Sequence, residues 1–115
     1  MTGEPGTGAL IWSPFADQAT ALAAVRTLLT EGLIACGNLL PGMTSVFSWQ
    51  GRVETAQEVG VLLKTNAALL DHAIARLAEL HPYEDPAVLG WCCASGAPAT
   101  LEWLAGIART TPPES

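Results

Sequence analysis

The sequence predicts an α+β fold, an antiparallel sheet with helices on one face, and three observations carry that prediction. Two segments place apolar residues at helical spacing, Leu22 to Leu29 and Leu70 to Leu80. Between them, from Leu33 to Lys64, the texture changes to Thr, Ser, Val, Phe and Trp punctuated by glycine, with no helical period. Short continuous apolar runs lie outside this block at 8–13 and 87–94, as buried strands require.

Taken in order, "GALIWS" (8–13) is bounded by Gly and by a Ser-Pro step and reads as the first strand. Asp17 can cap a helix carrying Leu22, Val25, Leu28 and Leu29, which Gly32 stops. "TSVFSW" (44–49), a turn at Gln50 and Gly51, and a return arm from about Arg52 to Lys64 make a long β-hairpin. Pro41 and Gly42 fall inside its first arm, where a residue without an N–H calls for a bend or bulge. Asn66 is a candidate cap for a second helix with the stripe Leu70, Ala73, Ile74, Leu77 and Leu80, stopped at His81 and Pro82. "AVLGWCCA" (87–94) is the last strand and "ATLEWLAGIA" (99–108) a short closing helix. The order βαββαβ is the ferredoxin-like arrangement, with residues 8–109 as one domain and 1–7 and 110–115 as disordered tails.

Composition bounds the function. The chain has 115 residues, is 50% hydrophobic and only 14% charged, with a mean hydropathy of +0.32. That is more apolar material than a small monomer needs, and the sheet face opposite the helices is the place to use it, against another copy of the chain. Five basic residues against eleven acidic ones give a net charge of −6 without any basic cluster, which excludes a nucleic-acid backbone or an anionic lipid surface as partner. No apolar run approaches the roughly 20 residues that span a bilayer. Three cysteines, Cys36, Cys92 and Cys93, form no CxxC pair and no even set for a disulfide framework, so a reducing, cytoplasmic setting is expected. Of four tryptophans, Trp49 marks the hairpin tip, Trp12 lies on the first strand, and Trp91 and Trp103 read as core or interface anchors.

Catalytic motifs are missing from the sequence: it has no GxSxG elbow, no Gly-rich phosphate loop and no arginine before Arg26. The first strand is followed by "SPFAD", without a thiol to hold a soft metal. His72 and His81 are nine residues apart on one predicted helix, about half a turn out of phase, and cannot converge on one ion within a chain. His81, in "ELHPYEDP", reads either as a metal ligand or as a helix-terminal histidine whose ring bonds a free carbonyl.

The series "GLIACGNLLPGMTSVFSWQGRVE", "EVGVLLKT", "ELHPYEDP" and "LEWL" resembles the CutA family of divalent-cation tolerance proteins from about residue 9 to residue 108. The resemblance implies a non-enzymatic homotrimer with PII-like architecture, its long hairpins packed around a threefold axis, that responds to divalent ions, copper among them. It also implies a copper site made by a cysteine on the first strand and two consecutive histidines before "PY". In this sequence Trp12 and Leu80 stand at two of those positions, leaving His81, with Glu84 and Asp85 as nearby oxygen donors for a weaker site. Cys36 matches a family cysteine of structural character. The alternative is a PII-like regulatory or scaffold module that binds a small ligand or a protein at inter-subunit clefts without a metal.

Overall fold

The computed structural model describes residues 7–107. Its elements are β1 (Gly8–Phe15), α1 (Gln18–Thr30), β2 (Cys36–Trp49), β3 (Arg52–Asn66), α2 (Leu70–Leu80), β4 (Leu89–Cys92) and α3 (Pro98–Ala105). The four strands form one antiparallel sheet in the order β2-β3-β1-β4, the ferredoxin-like topology that the element order predicts. The two tails fall outside the described residues except for Thr7, whose carbonyl accepts from the Ala67 amide and so belongs to the fold.

Local chemistry explains most boundaries. Asp17 is extended and its Oδ1 accepts from the Thr20 amide at 2.8 Å, relieving an orphan donor of α1. At the other end Gly32 adopts φ +74°. The Leu33 amide reaches back to Leu28 O and the Gly32 amide to Leu29 O, a Schellman closure that also brings Leu28 and Leu33 into one core. Gln50 (φ +50°) and Gly51 (φ +77°) provide the two left-handed residues of a tight hairpin turn. The register of β2 against β3 slips between Leu40 and Met43, where Gly42 takes φ +76°, so the bulge falls where Pro41 and Gly42 predict it.

Three elements depart from the expectation. Helix α1 buries Ala21, Ala24, Val25 and Leu28, while Leu29 is exposed. The alanine side of the helix lies on the sheet because small residues allow close approach, and a Cβ placed on Gly37 would sit 2.5 Å from Val25 Cγ1. Asn66 does not cap α2: its Oδ1 accepts from the Leu69 amide and its Nδ2 donates to Leu104 O, so it ties the turn before α2 to α3 and the helix starts later. Strand β4 shrinks from the expected eight residues to Leu89–Cys92, since Ala87 already gives its carbonyl to the Ser13 hydroxyl at 2.7 Å.

One sheet face meets the helices. Ile11, Phe15, Val59, Val61 and Leu63 point there and join Val25, Leu28, Ala73 and Leu77. The opposite face carries Leu10, Trp12, Leu62, Leu89 and Trp91, which the register places side by side. Trp91 and Trp103, expected as core or interface anchors, are 46% and 51% exposed and so are not core of a single chain. Past Phe15 and Val59 the sheet is only two strands wide, and the paired residues 43–49 and 52–58 project as an arm. At 3.3 Å per residue the arm reaches roughly 20 Å beyond β1. Both its faces carry exposed apolar side chains among polar ones: Phe47 and Trp49 on one, Val46 (66% exposed) and Val53 (78% exposed) on the other.

Candidate functional site

The segment His81–Asp85 fills the corner where β1 ends, β4 has not yet begun and the arm departs. Helix α2 delivers it: the His81 amide still donates to Leu77 O, while the residue itself turns extended (φ −72°, ψ 135°) ahead of Pro82. The imidazole then folds back onto the body and is only 6% exposed. It stacks on Phe15 with ring centroids 3.9 Å apart.

Both ring nitrogens are engaged. The Tyr83 amide donates to Nδ1 at 3.2 Å, which fixes the proton on the other nitrogen, so Nε2–H donates to Pro14 O at 2.8 Å. The sequence reading of a helix-terminal histidine bonded to a free carbonyl is close, but the carbonyl belongs to β1, not to α2. With one nitrogen donating and the other accepting, the neutral ring has no lone pair left for an ion. Of the two sequence readings, ligand or carbonyl-bonded histidine, the hydrogen bonds of His81 are those of the second, and they make it a hydrogen-bond hub.

Tyr83 continues the network. Its ring is tilted against His81 at a centroid distance of 4.7 Å, and its hydroxyl donates to Glu58 Oε2 at 2.7 Å. Burial, then the hydrogen bond to the Glu58 carboxylate, then the charges of Glu58 and Asp17, push the phenol up to about 12, because each disfavours a phenolate there. The sequence reading missed Tyr83 and Glu58, which are 25 residues apart. The only available signal was that a tyrosine between two prolines and two carboxylates has few ways to bury its ring.

Glu84 and Asp85 are exposed. Among the described residues no three His, Cys, Asp or Glu side chains gather as a metal-ligand set, and no buried side-chain nitrogen or oxygen lacks a partner. Trp12 does not approach as a donor either: its ring edge lies over Gly60, where a Cβ would be 2.5 Å from Cη2. His72 sits on the exposed side of α2, away from His81. The residues of one chain therefore do not fit a transition-metal centre built on His81. The three cysteines are free and half-buried, and Cys36 Sγ lies 3.8 Å from Asn38 Oδ1.

The comparisons with known proteins agree with this architecture. The divalent-cation tolerance protein CutA of Pyrococcus horikoshii is 40% identical over 80 residues, which cover 70% of this chain and 78% of that protein. The crystal structure of CutA from Xylella fastidiosa superposes with a TM-score of 0.83 at 40% identity, covering 87% of this chain and 96% of that one. A periplasmic divalent cation tolerance protein CutA from Archaeoglobus fulgidus, 24% identical, shares the fold with a TM-score of 0.81. The family model described as CutA1 divalent ion tolerance protein matches residues 9–106, and with the strand order, the long bulged hairpin and the "HPYEDP" corner in place, the chain belongs to the CutA1 family.

Proposed function

We propose that the chain serves divalent-cation tolerance, copper included, as a non-enzymatic homotrimer that meets ions weakly through the exposed carboxylates of Glu84 and Asp85, on the loop that His81 anchors. The observation carrying this reading is the exposure of the Glu84 and Asp85 carboxylates beside an imidazole whose two nitrogens already hold Pro14 O and the Tyr83 amide. Hard oxygen donors at the surface suit weak, exchangeable contact with divalent ions better than selective retention of a soft one. A trimer is supported by the apolar sheet face opposite the helices and by the two-sided arm. A cytoplasmic setting is supported by the three free thiols. The same engaged imidazole favours the second reading, a PII-like regulatory or scaffold module that takes a small ligand or a protein between subunits.

Titration of Cu(II) and of Zn(II) into the native protein, E84Q/D85N and His81→Gln separates these readings. The first expects weak binding that disappears in E84Q/D85N and survives in His81→Gln. Loss confined to His81→Gln, in a protein still folded, would return the ligand role to the imidazole. No binding by any of the three would leave the module without a metal. Light scattering that gave a monomer would remove the trimer.

A further inference from the structure

The arm is the part of this chain with least support of its own. A two-stranded ribbon is marginal in water without a third strand or a packing partner, and past Phe15 the arm has neither. At its root β2 carries the register slip and the left-handed Gly42, which bend and twist the ribbon relative to the body. Two contacts cross that root. On the open sheet face the Trp12 ring and Met43 Sδ both occupy the space over Gly60, 2.5 and 3.3 Å from where a Cβ would stand. At the β1 end the Tyr83 hydroxyl holds the Glu58 carboxylate, at the first residue pair of the arm, Met43 and Glu58. Tyr83 is itself fixed, its amide by His81 Nδ1 and the His81 ring by Phe15 and Pro14 O. The chain of contacts runs from the end of β1 through the "HPYEDP" corner into the arm without a gap.

We propose that the Tyr83–Glu58 hydrogen bond is a latch that sets the angle of the arm to the body, so that the arm is presented to a second copy of the chain already oriented. The proposal rests on the self-association reading above for its purpose, but the latch itself is a property of one chain. A charge-assisted hydrogen bond is stronger and more directional than a neutral one. Orienting a segment before it binds lowers the ordering cost at association. Exposed apolar side chains on both arm faces also mean that a misdirected arm offers Val46, Phe47, Trp49 and Val53 to other surfaces, so a fixed angle protects against wrong contacts as well as favouring the right one.

Tyr83→Phe removes the hydroxyl and keeps the ring against His81, and amide hydrogen exchange on the full chain reads the result. Amides of residues 43–49 and 52–58 should exchange about tenfold faster in Tyr83→Phe, the low end of what a hydrogen bond to a charged group supplies, with β1 and α1 unchanged. Glu58→Gln, whose neutral amide oxygen still accepts from the hydroxyl but without the charge, should fall between the native protein and Tyr83→Phe. A dilution series by sedimentation velocity should move the dissociation midpoint of Tyr83→Phe to several-fold higher concentration. Equal arm exchange in native and Tyr83→Phe protein would overturn the latch, and so would faster exchange spread evenly over β1 and α1. A native protein monomeric at every concentration would overturn self-association alone, since the exchange measurement decides the latch either way.

Discussion

Replacing His81 by alanine tests whether this residue is structural. Two hydrogen bonds disappear, Nε2–H to Pro14 O and the Tyr83 amide to Nδ1, and each is worth about 0.5–1.5 kcal/mol. The stack on Phe15 goes with them, worth about 0.5–1.5 kcal/mol beyond area burial. The Pro14 carbonyl loses its partner and a small cavity opens over Phe15, so the sum is about 2–4 kcal/mol, a large share of a domain's stability. Urea unfolding at one fixed protein concentration, chosen because an oligomer's midpoint depends on concentration, should show a lower midpoint with an unchanged slope. His81→Gln, which keeps a donor and an acceptor but not the ring, should recover part of the loss. If His81→Ala costs less than about 1 kcal/mol, the hub reasoning is wrong and the imidazole is free for other work.

Further outcomes follow from single contacts. Gly37→Ala should destabilise by about 1–3 kcal/mol, because its Cβ would lie 2.5 Å from Val25 Cγ1 and 3.0 Å from Leu63 Cδ2 inside a packed core; thermal unfolding measures it. Asp17→Ala should cost about 1 kcal/mol and Asp17→Asn much less, since the amide keeps an acceptor for the Thr20 N–H. The Glu31 carboxyl is held below its ordinary value chiefly by the Arg76 hydrogen bond at 2.9 Å, with the Arg76 charge adding to it. A depressed acid contributes stability above its unfolded value and loses it as pH falls through the folded one. The native protein should therefore give up a small amount of stability below about pH 4.5 that Glu31→Gln does not, as acid titration by circular dichroism would record.

Local signals carried most of the fold into the sequence. The Asp17 cap, the Gly32 stop, the Gln50-Gly51 turn and the Pro41-Gly42 bulge are each decided by a few neighbouring residues, and each appears where the sequence places it. The departures all involve partners far along the chain. Ser13 takes the carbonyl of Ala87, 74 residues away, and strand β4 starts late. Asn66 spends its amide on Leu104 instead of on α2. In α1 Val25 and Leu28 are buried as their spacing predicts, but Ala21 and Ala24 complete the buried face in place of Leu29, with Val25 packed close over Gly37. At the site, "HPYEDP" is legible as a helix stop, but the partners of His81 and Tyr83 lie 67 and 25 residues away, on β1 and β3.

The Trp12 ring lies diagonally across β1 and β3 over Gly60, occupying the space that a side chain at 60 would need. Where the family resemblance expects a first-strand cysteine, this chain has an indole lying on a bare patch of backbone. A thiol substituted there would not reach across that patch, and the glycine below would be left uncovered beside Met43. Conversely, a Cβ at 60 would lie 2.5 Å from the indole Cη2, so the ring would have to shift. The two positions are therefore coupled through packing, and grafting a soft-metal ligand onto the first strand of this chain is a two-residue problem.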